Sequence, residues 1–412
     1  MRRLPAWLLA LAFTATAPCL AQSRLEPPDL EDYLRWGPFR VRPGVQIVNL
    51  GYDDNIFASN VTKVGDYTGT IAPRINGLVL FGHRTFLTFL GQAEYTAYLE
   101  NSDQNYFNLR SSGRFMVPFS RFGLFAAVKF DQVEERPVDR EDIRPRRKEQ
   151  GRTLGAIFEL GWRTEIELSQ TVTDWRYSDP DFAFKGQSIA EILDRDEVRR
   201  ALAASYRVLG RTRLTLDLET ADIDFDEPFI SGQIVSDKDT KERSGLVGLR
   251  FGEGGILGGT VRVGWTEIDI LDPGLKDFSG AVGDAELVYR MTSRTRLEFE
   301  GERITDFAVY RDQTFLVNTN GRLRAIRSLN RIVALEADIF SGKLEFPGST
   351  AAVPRKDDLF GYGGGVRLRL AENSMGRRVE YRVRLTRFER KSNLPGLDRS
   401  QTRVAIDAVL GF

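Results

Sequence analysis

The chain has 412 residues, and its 58 basic and 58 acidic side chains balance, so it lacks the basic excess typical of nucleic-acid-binding proteins. Its 38 glycines and 27 phenylalanines, together with the lack of a long helical period, argue against a soluble α/β enzyme. Length alone would permit two or three soluble domains, so the pattern along the chain has to decide the fold class.

The N-terminus has the features of a secretory signal peptide. An arginine pair precedes an apolar run from Leu4 to Ala17, and Ala21 ends a Cys-Leu-Ala cleavage site. The run is shorter than the roughly 20 residues that a membrane-spanning helix needs. We therefore predict that residues 1–21 are a signal peptide. Its removal takes away Cys19, the single cysteine, so the mature chain would have neither disulfides nor thiolate chemistry.

Residues 22–43 are rich in proline and charge and lack a strand period. They are predicted to be a periplasmic N-terminal segment, with a short plug as a further possibility. No later stretch is long and apolar enough for a membrane helix. If the protein crosses a membrane, it must do so as a closed barrel, because in lipid only helices and closed barrels satisfy the backbone groups.

Residues 44–412 contain about eighteen segments of alternating polarity, separated by turns that are alternately long and short. Six short turns place an arginine just before a strictly alternating strand, as in GWRTEIEL and LGRTRLTLDLE. The long connections follow the odd-numbered segments. This parity predicts an all-β, antiparallel up-and-down outer-membrane barrel of a Gram-negative cell, with both termini in the periplasm. A stack of soluble β domains is the alternative. The segments are predicted near 44–52, 67–80, 84–98, 104–117, 121–133, 151–162, 164–176, 195–209, 211–224, 240–252, 256–269, 278–291, 293–305, 314–327, 329–341, 357–370, 376–390 and 400–412.

The last segment ends on an aromatic residue. One face of it carries apolar side chains that we interpret as a lipid-facing assembly signal, read by the barrel-assembly machinery, while Arg403 and Asp407 lie on the other face. An ordinary half-buried edge strand would show the same alternation. The predicted assembly residues are Val404, Ile406, Leu410 and Phe412.

A specific pattern runs through the first three segments: GYDDNIF at 51–57, IAP at 71–73, Arg84, Tyr95 and Tyr98. With this pattern, the opening of the chain resembles that of the putative β-barrel porin 2 family. The resemblance is most specific over residues 44–115 and continues as strand rhythm to the end of the chain. It implies an outer-membrane barrel, and some members are similar to proteins encoded with exopolysaccharide or capsule export machinery. It brings no catalytic motif.

The sequence offers no catalytic, cofactor-binding or metal site. His83 is the single histidine, and its predicted turn lacks partners for a metal or for acid–base work. The glycine-rich stretch 252–259 lies between two strands with no helix after it, so it is not a nucleotide loop. We therefore expect a protein that is not an enzyme.

The polar face of the strands is predicted to line the lumen. Two interpretations stay open: the charges satisfy one another across the wall, or they form a hydrogen-bonding track for a sugar polymer or a selectivity ring for solutes. Both can hold for the same residues. The predicted lumen residues are Arg110, Arg114, Arg213, Asp217, Glu219, Arg262, Arg296, Glu298, Glu300, Glu302, Arg322, Arg324, Arg367, Arg369, Arg382, Arg384, Arg403 and Asp407.

Two long loops carry further signals. In 177–194, Ser188 and Glu191 predict a capping box that opens a short helix, which either sits on the rim or enters the lumen. Loop 134–150 carries both charge signs, and its basic residues are candidates for contact with lipopolysaccharide: Arg144, Arg146, Arg147 and Lys148.

Three functions remain open from sequence. The first is a pore that assists export of an exopolysaccharide or capsular polymer, with polysaccharide and periplasmic export components as partners. The second is a general or sugar-selective diffusion porin, because barrels of this size hold an aqueous channel. The third is a plugged structural or adhesive surface barrel. Lumen packing decides among them, and the strand pattern does not report it.

Overall fold

The computed structural model of the chain describes residues 25–27, 33–82, 84–137, 143–178, 183–184, 187–231, 234–252, 255–308, 315–347, 354–370 and 378–411. The predicted signal peptide, His83 and Phe412 lie outside these ranges. Within them, no helix is long and apolar enough to cross a membrane.

A 19-stranded antiparallel sheet dominates the described residues, with one short strand, Leu34–Trp36, and eighteen long ones. Each long strand pairs with its sequence neighbours, and β18 also pairs with β1, so the sheet closes into a barrel. The predicted fold class is confirmed. The long strands are β1 (Phe39–Asp53), β2 (Asp66–Phe81), β3 (Thr85–Tyr98), β4 (Tyr106–Pro118), β5 (Phe122–Glu134), β6 (Arg146–Leu160), β7 (Thr164–Ser178), β8 (Arg195–Leu209), β9 (Thr212–Phe225), β10 (Thr240–Phe251), β11 (Leu257–Ile270), β12 (Phe278–Arg290), β13 (Thr295–Phe307), β14 (Phe315–Ser328), β15 (Val333–Glu345), β16 (Lys356–Leu370), β17 (Arg378–Ser392) and β18 (Arg399–Gly411).

The connections alternate between long and short as predicted from β1 to β16, which gives the barrel a turn end and a loop end. The last two differ from the prediction, because the connection after β16 (371–377) is slightly longer than the one after β17 (393–398). At the turn end, Gly82, Gly161 and Gly210 adopt φ values of 69°, 70° and 48°. This left-handed conformation suits a tight hairpin and costs glycine nothing, which explains the glycine that recurs just before the arginine of these turns. The loop end carries a 3₁₀ turn (Ser102–Gln104), two short strand pairs (Ala183–Phe184 with Gln187–Ser188, and Phe229–Ser231 with Ile234–Ser236) and helix α1 (Ile189–Leu193).

Three strands differ from their predicted bounds by four residues or more. β1 begins at Phe39, five residues early, because Pro43 sits level with the end of β18, where its missing N–H is tolerated. Strand Leu34–Trp36 pairs with β1 just beyond that point. β6 begins at residue 146 instead of 151, and β15 runs four residues later than predicted. In the turn before β15, the side-chain oxygen of Asn330 accepts hydrogen bonds from the next two strand-side amides, which sets the later start.

The two faces of the wall differ in chemistry. Leu214, Leu216 and Leu218 of β9 are 48%, 38% and 44% exposed on one face. On the other face, ion pairs join strands that are not neighbours, as between Arg384 of β17 and Asp338 of β15 at 2.9 Å. Strands two positions apart are about 10 Å apart, so their side chains meet only on the concave side. The charged face is therefore the inner face, and the exposed apolar face is the outer face.

The inner face is not uniformly polar, in contrast to the sequence prediction. A buried apolar cluster near the turn end is formed by Leu78, Phe86, Met116, Phe125 and Ile157, together with Leu25 from the N-terminal segment. A second cluster near the loop end is formed by Ala308, Leu316, Leu344, Phe346, Leu359 and Phe388. Strands β2 and β5, which contribute to the first cluster, carry apolar residues on both faces near their turn ends, so alternation alone could not reveal it.

A bulge interrupts β1 at the seam with β18. Its pairing with β18 shifts between Ile47 and Leu50, and buried Asn49 has a φ of 55°. The Asn49 amide donates to Asp407 at 2.9 Å, and Thr68 donates its hydroxyl to the Asn49 carbonyl at 3.2 Å. On the turn-end side of the bulge, the even-numbered residues of β1 face inward. On its loop-end side, the odd-numbered residues face inward.

Candidate pore lining and mouth

The densest charge cluster on the inner face joins β15, β16 and β17. Glu336, whose side chain is 3% exposed, lies between two arginines: it pairs with Arg367 and, at 3.3 Å, with Arg382. Glu380 is 3.3 Å from Arg367 and 3.6 Å from both Arg382 and Arg369. Each carboxylate thus forms ion pairs with more than one guanidinium, which lowers the cost of holding so many charges out of bulk water.

A second cluster crosses β8 to β12. Arg199 pairs with Glu219 and lies 3.5 Å from Glu242. Arg262 links two strands, at 3.5 Å from Asp217 and 3.0 Å from Asp284. Several of these side chains are about one-third exposed, including Arg199 and Glu219. They therefore remain reachable from inside the barrel.

The remaining predicted lumen residues find partners in smaller groups. Glu298 is shared by Arg296 at 2.9 Å and Arg324 at 3.2 Å. Two arginines lie over aromatic rings on the inner face. They are Arg114 over Phe125, at 3.7 Å from the ring centroid, and Arg322 over Phe340, at 5.7 Å.

All eighteen predicted lumen residues lie on the inner face, but they do not form one group. Arg213 lies 3.8 Å from Glu165, and Arg110 lies 3.2 Å from Glu94. Arg403 and Asp407 are separate, since Arg403 binds Asp53 and Asp407 accepts from the bulge. Sequence reasoning missed several of the acidic partners, because a strand's own alternation does not tell which residue lies opposite. The missed partners are Asp53, Glu94, Glu165, Glu242 and Asp284.

Helix α1 packs between two parts of the wall at the loop end. The predicted capping box forms: the Glu191 amide donates to the Ser188 hydroxyl at 3.3 Å, and the Ser188 amide donates to the Glu191 carboxylate at 3.1 Å. Three helix residues are buried against Tyr177, which points inward from β7, and against Phe307 at the end of β13. They are Ile189, Ile192 and Leu193. These parts of the wall are six strands apart, so the helix joins two separate sides of the loop end. That it constricts the pore, instead of sitting on the rim, stays a prediction.

Two cations hold the C-terminal end of α1. Arg195 donates to the Leu193 carbonyl at 3.2 Å, and Lys238 donates to the Ile192 carbonyl. Lys238 is buried, and this burial together with the nearby charge of Arg195 lowers the pKa of its ammonium to about 7. Arg195 also lies over the Phe307 ring, at 5.0 Å from its centroid.

A family model described as "Putative beta-barrel porin 2" matches residues 34–412. The chain belongs to this family. Crystal structures of Pseudomonas aeruginosa proteins share the fold of this porin-family barrel. OccK2 (OpdF) is 10% identical with a TM-score of 0.51, covering 90% of this chain and 98% of its own. OccK1 (OpdK) is 9% identical with a TM-score of 0.51, covering 90% of this chain and 99% of its own. No curated protein matches the chain in sequence.

In this porin-family barrel, the stretch GYDDNIF at 51–57 joins the first outer loop to the last strand. Asp53 accepts hydrogen bonds from the Asn55 amide at 3.0 Å and from the side chains of Gln401 and Arg403. Asn55 in turn donates to the Ser400 carbonyl at 3.1 Å. These hydrogen bonds join β1 and the first outer loop to β18, where the barrel closes, and we call them the seam clasp. The stretch that carries the sequence resemblance therefore lies at this contact.

The basic residues of loop 134–150 point in different directions. Arg144 donates to the Gln104 carbonyl at 3.0 Å and to the Tyr98 hydroxyl at 2.9 Å, and Arg147 points inward, 3.7 Å from Glu149. Only Arg146 and Lys148 lie exposed on the outer face of β6. Contact with lipopolysaccharide stays a prediction for these two. Among the described residues, no group of three or more His, Cys, Asp or Glu could hold a metal ion.

Proposed function

We propose that this porin-family barrel is a pore that assists export of an exopolysaccharide or capsular polymer across the outer membrane. The observation that carries the proposal is the pairing of inward charges: carboxylates lie within 4 Å of the guanidinium groups on most of the wall. Paired charges leave no large field of one sign, yet they present many hydrogen-bond donors and acceptors. A polyhydroxylated chain needs such groups and gains nothing from a net charge.

These paired inward charges form a hydrogen-bonding track that runs along much of the wall. Asp217 and Arg262 remain 29% and 20% exposed at the side chain, and Arg324 remains 17% exposed. A sugar hydroxyl can therefore exchange with water at each of these groups while the ion pairs stay intact. Partial exposure distinguishes these groups from the sealed cluster around Glu336, which supports the wall.

A sugar-selective diffusion porin is the second candidate. Helix α1 favours it, because a mouth narrowed by Ile189, Ile192 and Leu193 admits a small solute more readily than a polymer. Export would require α1 to move aside, whereas diffusion of a monosaccharide would not. The two functions therefore differ in whether the mouth must open.

Deletion of the gene tests the two candidates in cells. We expect a deletion strain to lose surface polymer while its uptake of small sugars hardly changes. Slow sugar uptake with normal surface polymer would overturn export and favour the diffusion porin. Normal results for both, together with purified protein that does not conduct in planar bilayers, would favour a plugged surface barrel.

A matched pair of variants tests the track itself. Arg324→Gln removes an inward donor of β14, and Arg327→Gln removes an exposed outer one from the same strand. In planar bilayers, we expect Arg324→Gln to shorten the current blocks caused by added neutral oligosaccharide, and Arg327→Gln to leave them unchanged. Equal block lifetimes in both variants would contradict a hydrogen-bonding track.

A further inference from the structure

The tight turns at the turn end carry a recurring arginine that the pore lining does not use. The six turns 82–84, 119–121, 161–163, 210–211, 291–294 and 329–332 contain no acidic residue, and each ends on arginine or has it next to its end. In the structure, all six arginines are exposed, in contrast to the ion-paired arginines of the inner face. They are Arg84, Arg121, Arg163, Arg211, Arg294 and Arg331.

The turn between β6 and β7 gathers two guanidinium groups around one aromatic ring. Trp162 is 66% exposed, and the Cζ atoms of Arg163 and Arg207 lie 4.2 Å and 5.8 Å from its ring centroid. The Arg207 amide donates to the Arg163 carbonyl at 2.8 Å, which holds the ends of β7 and β8 side by side. Arg163 also donates from Nη1 to the Tyr206 hydroxyl at 3.4 Å.

This group lies on the outer face of the barrel. Tyr206 is directly opposite Leu214 in the ladder of β8 and β9, and opposite residues share a face. Leu214 is one of the exposed leucines of the outer face. The guanidinium of Arg163, bonded to the Tyr206 hydroxyl, therefore lies on the membrane side of its turn. Short turns of such barrels lie in the periplasm, and aromatic residues at the ends of the wall sit at the level of the lipid headgroups.

The two positive charges are not balanced by protein groups. Among the residues that the structure describes, no carboxylate lies within 4 Å of the guanidinium of Arg163 or Arg207. Glu165, the next acidic residue along β7, faces inward, 3.8 Å from Arg213. Two like charges that share one ring repel each other, so an anion would stabilise the arrangement.

The surroundings select a lipid phosphate as that anion. Guanidinium groups suit phosphate because their planar fork of donors matches its oxygens. Trp162 offers an amphipathic ring for the glycerol region beneath a phosphate. Exposed Leu160 and Leu209, at the ends of β6 and β8, offer apolar contact to acyl chains. A soluble anion would use none of this apolar surface.

We propose that the turn end binds an anionic phospholipid of the periplasm-facing leaflet, with its phosphate held by Arg163 and Arg207 and its glycerol region against Trp162. The other turn arginines extend a positive rim that attracts the same class of lipid. The site does not depend on the proposed pore function, because it lies outside the lumen.

Native mass spectrometry of the full-length protein in detergent tests the site. The probes are equimolar dioleoyl phosphatidylglycerol and dioleoyl phosphatidylethanolamine, which share their acyl chains and differ in net charge. We expect the wild type to retain phosphatidylglycerol in preference. The double variant Arg163→Gln with Arg207→Gln should lower that preference on the order of tenfold, given what each arginine contributes near a lipid surface.

A second double variant controls for net charge. Arg200→Gln with Arg243→Gln also removes two exposed outward arginines, but these lie 2.8 Å from Asp222 and 3.8 Å from Asp269. It should keep the wild-type preference. Heat-modifiability gels check that each variant is folded, and the charge-conserving pair Arg163→Lys with Arg207→Lys should retain phosphatidylglycerol.

Three results would overturn the proposal. The first is a wild type that retains both lipids equally. The second is an equal preference in the two glutamine double variants. The third is displacement of phosphatidylglycerol by inorganic phosphate at the same concentration, since this would show a site for a soluble anion.

Discussion

Lys238 should make the stability of the packed position of α1 depend on pH. It lies in the connection between β9 and β10, and its pKa is lowered from an ordinary 10.5 to about 7 while it is packed under the helix. The packed state therefore binds fewer protons than the released state. As the pH falls from about 10.5 to about 7, packing of α1 loses stability, and below about 7 it loses no more.

The pKa difference is worth about 5 kcal/mol over the whole range. Between pH values of roughly 8.5 and 7, the equilibrium for release of α1 should rise on the order of tenfold. Among the described residues, the charge that lowers the pKa of the ammonium is that of Arg195, which stays protonated throughout and so does not titrate in this window. Neutral lysine can still donate to the Ile192 carbonyl, so the helix remains held at high pH.

Single-channel recording across this pH range checks the prediction. The open fraction of the wild type should increase as the pH falls. Lys238→Met removes the titrating group and should give a flat profile, whereas Lys241→Met, at an exposed position on β10, should keep the wild-type profile. A wild-type open fraction that is constant, or that increases with pH, would refute the reasoning.

Three further outcomes are expected. Glu336→Gln strips the charge between two buried arginines and should cost about 3 to 5 kcal/mol in denaturant titrations, whereas Glu389→Gln breaks an exposed pair and should change little. Asp53→Ala unfastens the seam clasp and should lower the temperature at which the barrel unfolds on heat-modifiability gels, by a loss of about 1 to 3 kcal/mol; an unchanged temperature would show that the clasp is dispensable. Deleting Phe412 or introducing Leu410→Asp should reduce folded barrel in the outer-membrane fraction, and normal amounts would contradict the assembly signal.

Features that depend on neighbouring residues were predictable from sequence. Alternation such as Leu214, Leu216 and Leu218 against Asp217 shows which side chains face outward, because strand geometry alone sets it. The arginine that follows each tight turn marks the start of the next strand, and Ser188 with Glu191 marks the start of α1. Each signal lies within a few residues of its consequence.

Features that depend on residues distant in the sequence could not be predicted. The pairing of Arg262 with Asp284 follows from strand register, and alternation is unchanged by a slip of two residues. The place of α1 depends on Phe307, more than 100 residues away. The pocket for Leu25 is built from five strands whose inner residues are apolar only near the turn end, where a strand such as GLVLF is apolar on both faces.

The bulge in β1 resolves a degeneracy in how the barrel closes. β1 and β18 are the first and last long strands, and their pairing closes the barrel. A shift of two residues in this pairing would keep every side chain on its proper face. Only one alignment brings the carboxylate of Asp407 to the amide of Asn49. Any other alignment leaves both groups buried without each other, at a cost of about 1 to 3 kcal/mol for each. The backbone ladder thus makes closure possible, and the bulge selects which of several closed rings is the native one.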